Sequence, residues 1–208
     1  MKSPFDSLAT TVVLGLVITA IMVALIMVIG DGVGAPLPEG HAGIVGFLFR
    51  WIHVIAGIMW IGLLWYFNFV QAPSMAEIPA EMKPAVSKFI APRALWWFRW
   101  AAAATVLAGV VLALAGGYLV DALALGLIDG RADSATIGFG MWLGLVMAFN
   151  VWFIIWPNQK KALGMVQVTD DEKKKAARTA FLTSRFNTMF SIPMLFGMLG
   201  MRHFADLL

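Results

Sequence analysis

Cysteine is absent from the sequence, which excludes disulfides, thiolate metal sites, iron–sulfur clusters and a covalently attached haem c of the Cys-x-x-Cys-His kind. Any metal or haem must rest on His, Met or oxygen ligands. Charge is scarce as well: Asp, Glu, Lys and Arg supply 13% of the residues against 61% apolar ones, about half the charged fraction of a soluble domain. Water is therefore not the main solvent. Tyrosine is nearly missing, with two residues beside nine Trp and fifteen Phe, and lipid accepts so much bulky apolar surface where water would drive aggregation. No acidic residue interrupts the long apolar runs, which argues against a proton pump or ion-coupled transporter. Internal repeats, the usual basis of secondary transporters, are not visible. Neither a Walker loop, a dinucleotide fingerprint, a Ser-His-Asp order nor a His-Glu-x-x-His motif occurs.

What is present is a series of membrane-length apolar runs. Residues 10–30 extend ~30 Å as a helix, enough to cross the hydrocarbon core. A second run, 44–70, is broken by Arg50, His53 and Asn68 alone. Residues 71–94 carry Pro73, Pro79, Pro84 and Pro92 with Lys83, Lys88 and Arg93, the composition of an extramembrane connector with room for a short surface helix. Trp96, Trp97 and Trp100 around Arg99 form an interfacial anchor introducing a helix over 96–120. An acidic loop, 121–135, leads to a helix over 136–156 that Pro157 is expected to stop. Thr169 and Glu172 have capping-box spacing and start a surface helix feeding the last span, 181–201, with Pro193 predicting a kink.

The basic residues cluster in loops rather than along one face, so topology rather than nucleic-acid binding explains them. Twelve of the fifteen Lys and Arg fall on the side shared by the N-terminus and the loops after the second and fourth spans, leaving Arg50, Arg131 and Arg202 on the other. The expectation is an all-α integral membrane protein: a single domain over 1–208, a bundle of about five transmembrane helices, N-terminus cytoplasmic and C-terminus periplasmic. Gly140, Gly144 and Ala148, and likewise Gly109, Ala113 and Gly117, form small-residue stripes at spacing four. Such stripes let helix backbones approach, either inside one bundle or in a homo-oligomer or partner interface.

This topology brings all three histidines toward the outer face: His41 in the first outer loop, His53 within the second span and His203 just past the last. His53 would lie ~10–15 Å below the surface, a depth where an ionisable group usually faces protein or a ligand. Imidazole is a standard axial ligand of haem iron, so His53 and His203 could hold a haem b or a metal, with His41 as a substitute for either. Arg50, one turn from His53, and Arg202, beside His203, would meet a haem propionate or another anion. The plain alternative is that His53 bonds a neighbouring backbone or side chain while His203 and the arginines sit among headgroups. His53, Gly57, Trp60 and Leu64 share one helix face, leaving a gap at Gly57 that a flat macrocycle or another helix would fill. A second polar set, Asn68, Asn150, Asn158, Gln159, Arg185 and Asn187, gathers near the inner face as helix cross-links or as a substrate or quinone pocket.

Three stretches carry a family resemblance: Arg50-Trp-Ile-His-Val-Ile-Ala-Gly-Ile-Met-Trp-Ile-Gly, Phe149-Asn-Val-Trp-Phe-Ile-Ile-Trp-Pro-Asn-Gln-Lys and Ser184-Arg-Phe-Asn-Thr-Met-Phe-Ser-Ile-Pro-Met-Leu. Together they resemble the membrane domain of bacterial PuuD-type urate oxidases (urate hydroxylases), the second and third being the more distinctive. The resemblance implies a multi-pass protein of the bacterial inner membrane that oxidises urate or a related purine and sends electrons to the respiratory chain. In that family a cytochrome c domain follows the membrane domain, whereas this chain has no Cys-x-x-Cys-His and fewer spans. Electron exit is thus expected to use a separate c-type cytochrome. The alternative expectation is a non-catalytic structural or assembly subunit of a larger membrane complex. His53, Arg50, Asn150, Asn158, Gln159, Arg185 and Asn187 occupy motif positions, and His203 is similar in its placement after the last motif.

Overall fold

The computed structural model describes residues 7–33, 41–128 and 132–203, without the side chains of residues 23, 26–33, 41, 42, 132 and 201–203. All secondary structure among the described residues is helical. The chain divides into two compact units, 1–44 and 45–208, each taken by itself.

In the first unit, α1 (Leu8–Val33) contains the first predicted span and extends it slightly at both ends. It is apolar around its whole circumference, as contact with lipid requires. Its few hydroxyls are satisfied locally, Thr11 donating to the Ser7 carbonyl and Thr19 to that of Gly15.

The second unit is entered through α2 (His41–Trp65) and continues with α3 (Ala72–Glu77), α4 (Lys83–Ala85), α5 (Ala91–Ala115), α6 (Leu119–Leu123), α7 (Ala132–Phe149), α8 (Trp156–Ala162) and α9 (Asp170–His203). Among the described residues, three helical stretches are long and apolar enough to cross a membrane: Gly43–Glu77, Lys83–Ala115 and Asp133–Ala162. They correspond to the second, third and fourth predicted spans. α9 covers the fifth as one unbroken helix through Pro193. Its polar residues dilute its hydropathy, yet Asn187, Thr188 and Ser191 are buried against the bundle rather than exposed.

Proline shapes the long stretches differently from the sequence expectation. π-Helical turns occupy Tyr66–Gln71, Val86–Ile90 and Asn150–Ile155, and each ends two residues before a proline: Pro73, Pro92 and Pro157. A proline ring clashes with the carbonyl four residues back and offers no N–H to it. The widened turn absorbs that conflict: Ala72, Ala91 and Trp156, each just before its proline, donate instead to the carbonyls of Phe67, Val86 and Val151, five residues back. Pro157 therefore does not stop the fourth span, which runs on as α8 to Ala162. For the same reason much of the expected connector is helical, with Pro73, Pro84 and Pro92 in the first turns of α3, α4 and α5.

α5 ends at Ala115, five residues before its expected end, because Gly116 and Gly117 follow. Gly117 takes φ +71°, and the N–H of Tyr118 returns to the Ala113 carbonyl while that of Gly117 returns to Leu114. This is a Schellman closure, and its left-handed residue strongly favours glycine. The expected acidic loop, 121–135, accordingly starts inside α6 and ends inside α7.

The core joins Trp60, Ile61 and Leu64 of α2, Leu95, Phe98 and Ala102 of α5, Met147, Val151 and Ile155 of the α7 stretch, and Met194 of α9. Where α7 crosses α9, a Cβ built on Gly197 would stand 2.7 Å from the Gly140 backbone nitrogen. The stripe begun by Gly140 thus packs inside the bundle at that crossing, as small residues in membrane helices do.

Candidate functional site

His53 sits where α2 meets α5. Its Nδ1 lies 2.7 Å from the Thr105 carbonyl, and because a carbonyl only accepts, Nδ1 carries the proton and donates. The ring lies against Gly109, where a Cβ would come within 2.8 Å of Cε1. The gap at Gly57 is filled by α5, with the Thr105 methyl 3.8 Å from the position of a Gly57 Cβ. Of the two fillings the sequence allowed there, a helix occupies this one. In a neutral ring, donation from Nδ1 leaves the lone pair on Nε2, the tautomer that metal-ligating histidines adopt when a carbonyl orients them.

Arg50, one turn before His53, is exposed. The side chains of His41, Arg202 and His203 lie outside the described residues. The backbone nevertheless relates the two helices. Trp65 Nε1 donates to Ser191 Oγ at 2.9 Å, and Asn68 meets Ser184, so α2 and α9 run antiparallel. His53 is twelve residues before Trp65 and His203 twelve after Ser191, ~18 Å along each helix toward the same end. Among the described residues no three His, Asp or Glu side chains gather as a metal-ion site.

The second polar set divides. Asn68 donates to its own Leu64 carbonyl and to Ser184 Oγ, each at 2.8 Å. Asn150 donates to Asn187 Oδ1 at 2.8 Å, and Asn187 donates onward to the Met147 carbonyl at 3.0 Å. Asn158 bonds only the Ile154 carbonyl of its own stretch. The π turns interrupt the regular ladder of backbone bonds, and the amides of Asn68, Asn187 and Asn158 all serve carbonyls within or just before those turns. Beside this network an open groove of about 340 Å³ is lined by Asn150, Ile154, Leu182, Thr183 and Phe186. Arg185 is exposed and rests over Phe181 at 5.1 Å. Gln159 Oε1 and Gln71 Oε1 are buried without a hydrogen-bond partner.

One residue stands elsewhere than expected. Arg99 is not a headgroup anchor: it is only 8% exposed, with its guanidinium carbon 3.4 Å from the centre of the Trp156 ring and Nη1 unpartnered. Trp96, Trp97 and Trp100 share the exposed side of α5, leaving Leu95, Phe98, Arg99 and Ala102 on the buried one. That i, i+3, i+4, i+7 spacing was the available signal for an inward face. The three tryptophans around Arg99 masked it.

No curated protein and no solved structure matches the chain. Residues 122–207 match the family model described as urate oxidase N-terminal. The matched range holds the second and third motifs, and with them Asn150, Asn158, Gln159, Arg185 and Asn187, whereas Arg50 and His53 precede it. Over residues 122–207, then, this helical chain is similar to the urate oxidase N-terminal family model.

Proposed function

We propose that the chain is a membrane redox protein of the PuuD-type urate oxidase kind, with urate or a related purine as electron donor and a c-type cytochrome as acceptor. The observation that carries this reading is the family match across residues 122–207, where the two distinctive motifs lie. In the same reading five helices cross a bacterial inner membrane with the N-terminus in the cytoplasm, and His53 and His203 hold a haem b near the outer face with Arg50 and Arg202 beside its propionates. A bound haem would supply one-electron carriage. The chain's own contribution is orientation: the Thr105 carbonyl holds the His53 proton on Nδ1 and keeps Nε2 available.

An optical spectrum of the purified protein tests the haem. Dithionite reduction should sharpen Soret and alpha bands, and a spectrum without them would sink the haem assignment. Urate-dependent reduction of added cytochrome c tests the activity independently. Topology is tested by Leu127→Cys, since the chain has no other cysteine and this position is 86% exposed. An impermeant maleimide should label it in intact spheroplasts; protection there would overturn the orientation.

A second reading, a non-catalytic structural or assembly subunit, is favoured by the work Asn68, Asn150 and Asn187 already do as helix cross-links. Absence of both haem and urate-dependent reduction in a folded protein would select it.

A further inference from the structure

We infer that Arg99 and Lys160, both near the Trp156 ring, form a half-buried oxyanion site about two helical turns along α5 from the His53 contact. Arg99 lies 3.4 Å and Lys160 5.5 Å from the centre of that ring, so the two cations stand within ~9 Å of each other and repel. No carboxylate balances them: among the described residues the one ion pair within 4.0 Å is Lys174 with Asp171. A guanidinium has five N–H donors in a fixed fork, and stacking on indole satisfies its face but not those edges. Arg99 Nη1 is left unpartnered inside the protein, a cost that a bound acceptor removes.

Gln159 defines the ligand further. It lies three residues after Trp156 on α8, on the same helix face, and its Oε1 is buried without a donor. An oxyanion that also carries a proton donor satisfies both needs, with charged oxygens for Arg99 and Lys160 and an O–H for Gln159. Hydrogen phosphate and phosphomonoester groups have this chemistry, whether free in solution or as the headgroup of phosphatidic acid. Trp96, Trp97 and Trp100 are exposed on the other side of α5, a clustering typical of membrane interfaces, where both sources are at hand. The site rests on neither the haem nor the urate reading.

The test uses the full chain in neutral detergent, with Lys160→Gln as the variant least able to disturb the core and Arg99→Gln as the severe one. Binding of inorganic phosphate is followed by calorimetry, and co-purifying phospholipid by native mass spectrometry. Phosphate binding weakened roughly tenfold or more by Lys160→Gln supports a soluble oxyanion, since a charge-assisted bond is lost. Retention of phosphatidic acid, whose headgroup is a phosphomonoester, by the wild type and its loss in Lys160→Gln support a lipid headgroup. Equal binding by wild type and Lys160→Gln, or none of either ligand to the wild type, overturns the site.

Discussion

Asn150 donates from Nδ2 to the Oδ1 of Asn187 at 2.8 Å. Asn150 opens the π-helical turn before Pro157, and Asn187, at 0% exposure, passes the connection on to the Met147 carbonyl. One side chain of α9 thus holds both the end of α7 and the start of the irregular turn. In a low-dielectric interior neither amide can be left unpaired cheaply.

Asn187→Ala should therefore lower thermal stability in detergent, by ~1–3 kcal/mol for the polar groups it strands. Adding Asn150→Ala should cost much less than it does alone, because the partner is already gone. A thermal double-mutant cycle measures this, and strict additivity would refute the coupling.

The contact of His53 with Gly109 makes an opposite pair of predictions. A methyl group at Gly109 would meet the imidazole at 2.8 Å, so Gly109→Ala should push the ring off the Thr105 carbonyl and destabilise by ~1–3 kcal/mol. Gly62 has nothing within 4 Å of an added Cβ, and Gly62→Ala should stabilise α2 by up to ~1 kcal/mol. Melting curves of the two variants should move in opposite directions.

At the α7–α9 crossing the backbones leave no room for a side chain. Gly197→Val should sharply reduce the yield of folded protein, because its Cβ would come within 2.7–2.9 Å of main-chain atoms of Gly140 and Thr136 and backbone yields less readily than a side chain. Size-exclusion profiles in detergent report the loss. A normal profile would show that the helices can separate.

Thr169 donates from its backbone N–H and its hydroxyl to Glu172 Oε2, at 2.9 and 3.0 Å. These bonds hold the Glu172 carboxyl below the ordinary glutamate range. A depressed folded pKa contributes stability above the unfolded value and loses it as pH falls through the folded one. The first turn of α9 should accordingly fray on acidification through that window. Thr169→Val removes the hydroxyl bond and should raise the Glu172 midpoint in a carboxyl NMR titration, while an unchanged midpoint would count against the cap.

Local pattern alone determined much of this protein. The apolar runs made it helical and membrane-length, Thr169 and Glu172 announced the start of α9, and Gly140 marked a close crossing, because each depends on neighbours within a few residues or on bulk transfer to lipid. The antiparallel register of α2 and α9, which turns His53 and His203 toward one end, was legible only as a consequence of counting spans. Tertiary structure alone decided that a helix fills the gap at Gly57, that prolines 73, 92 and 157 follow π turns instead of ending helices, and that the Arg99 found among three tryptophans points inward. Hydropathy assigns a solvent to a whole segment, but the direction in which one charged side chain leaves its helix is set by which neighbour packs against that face.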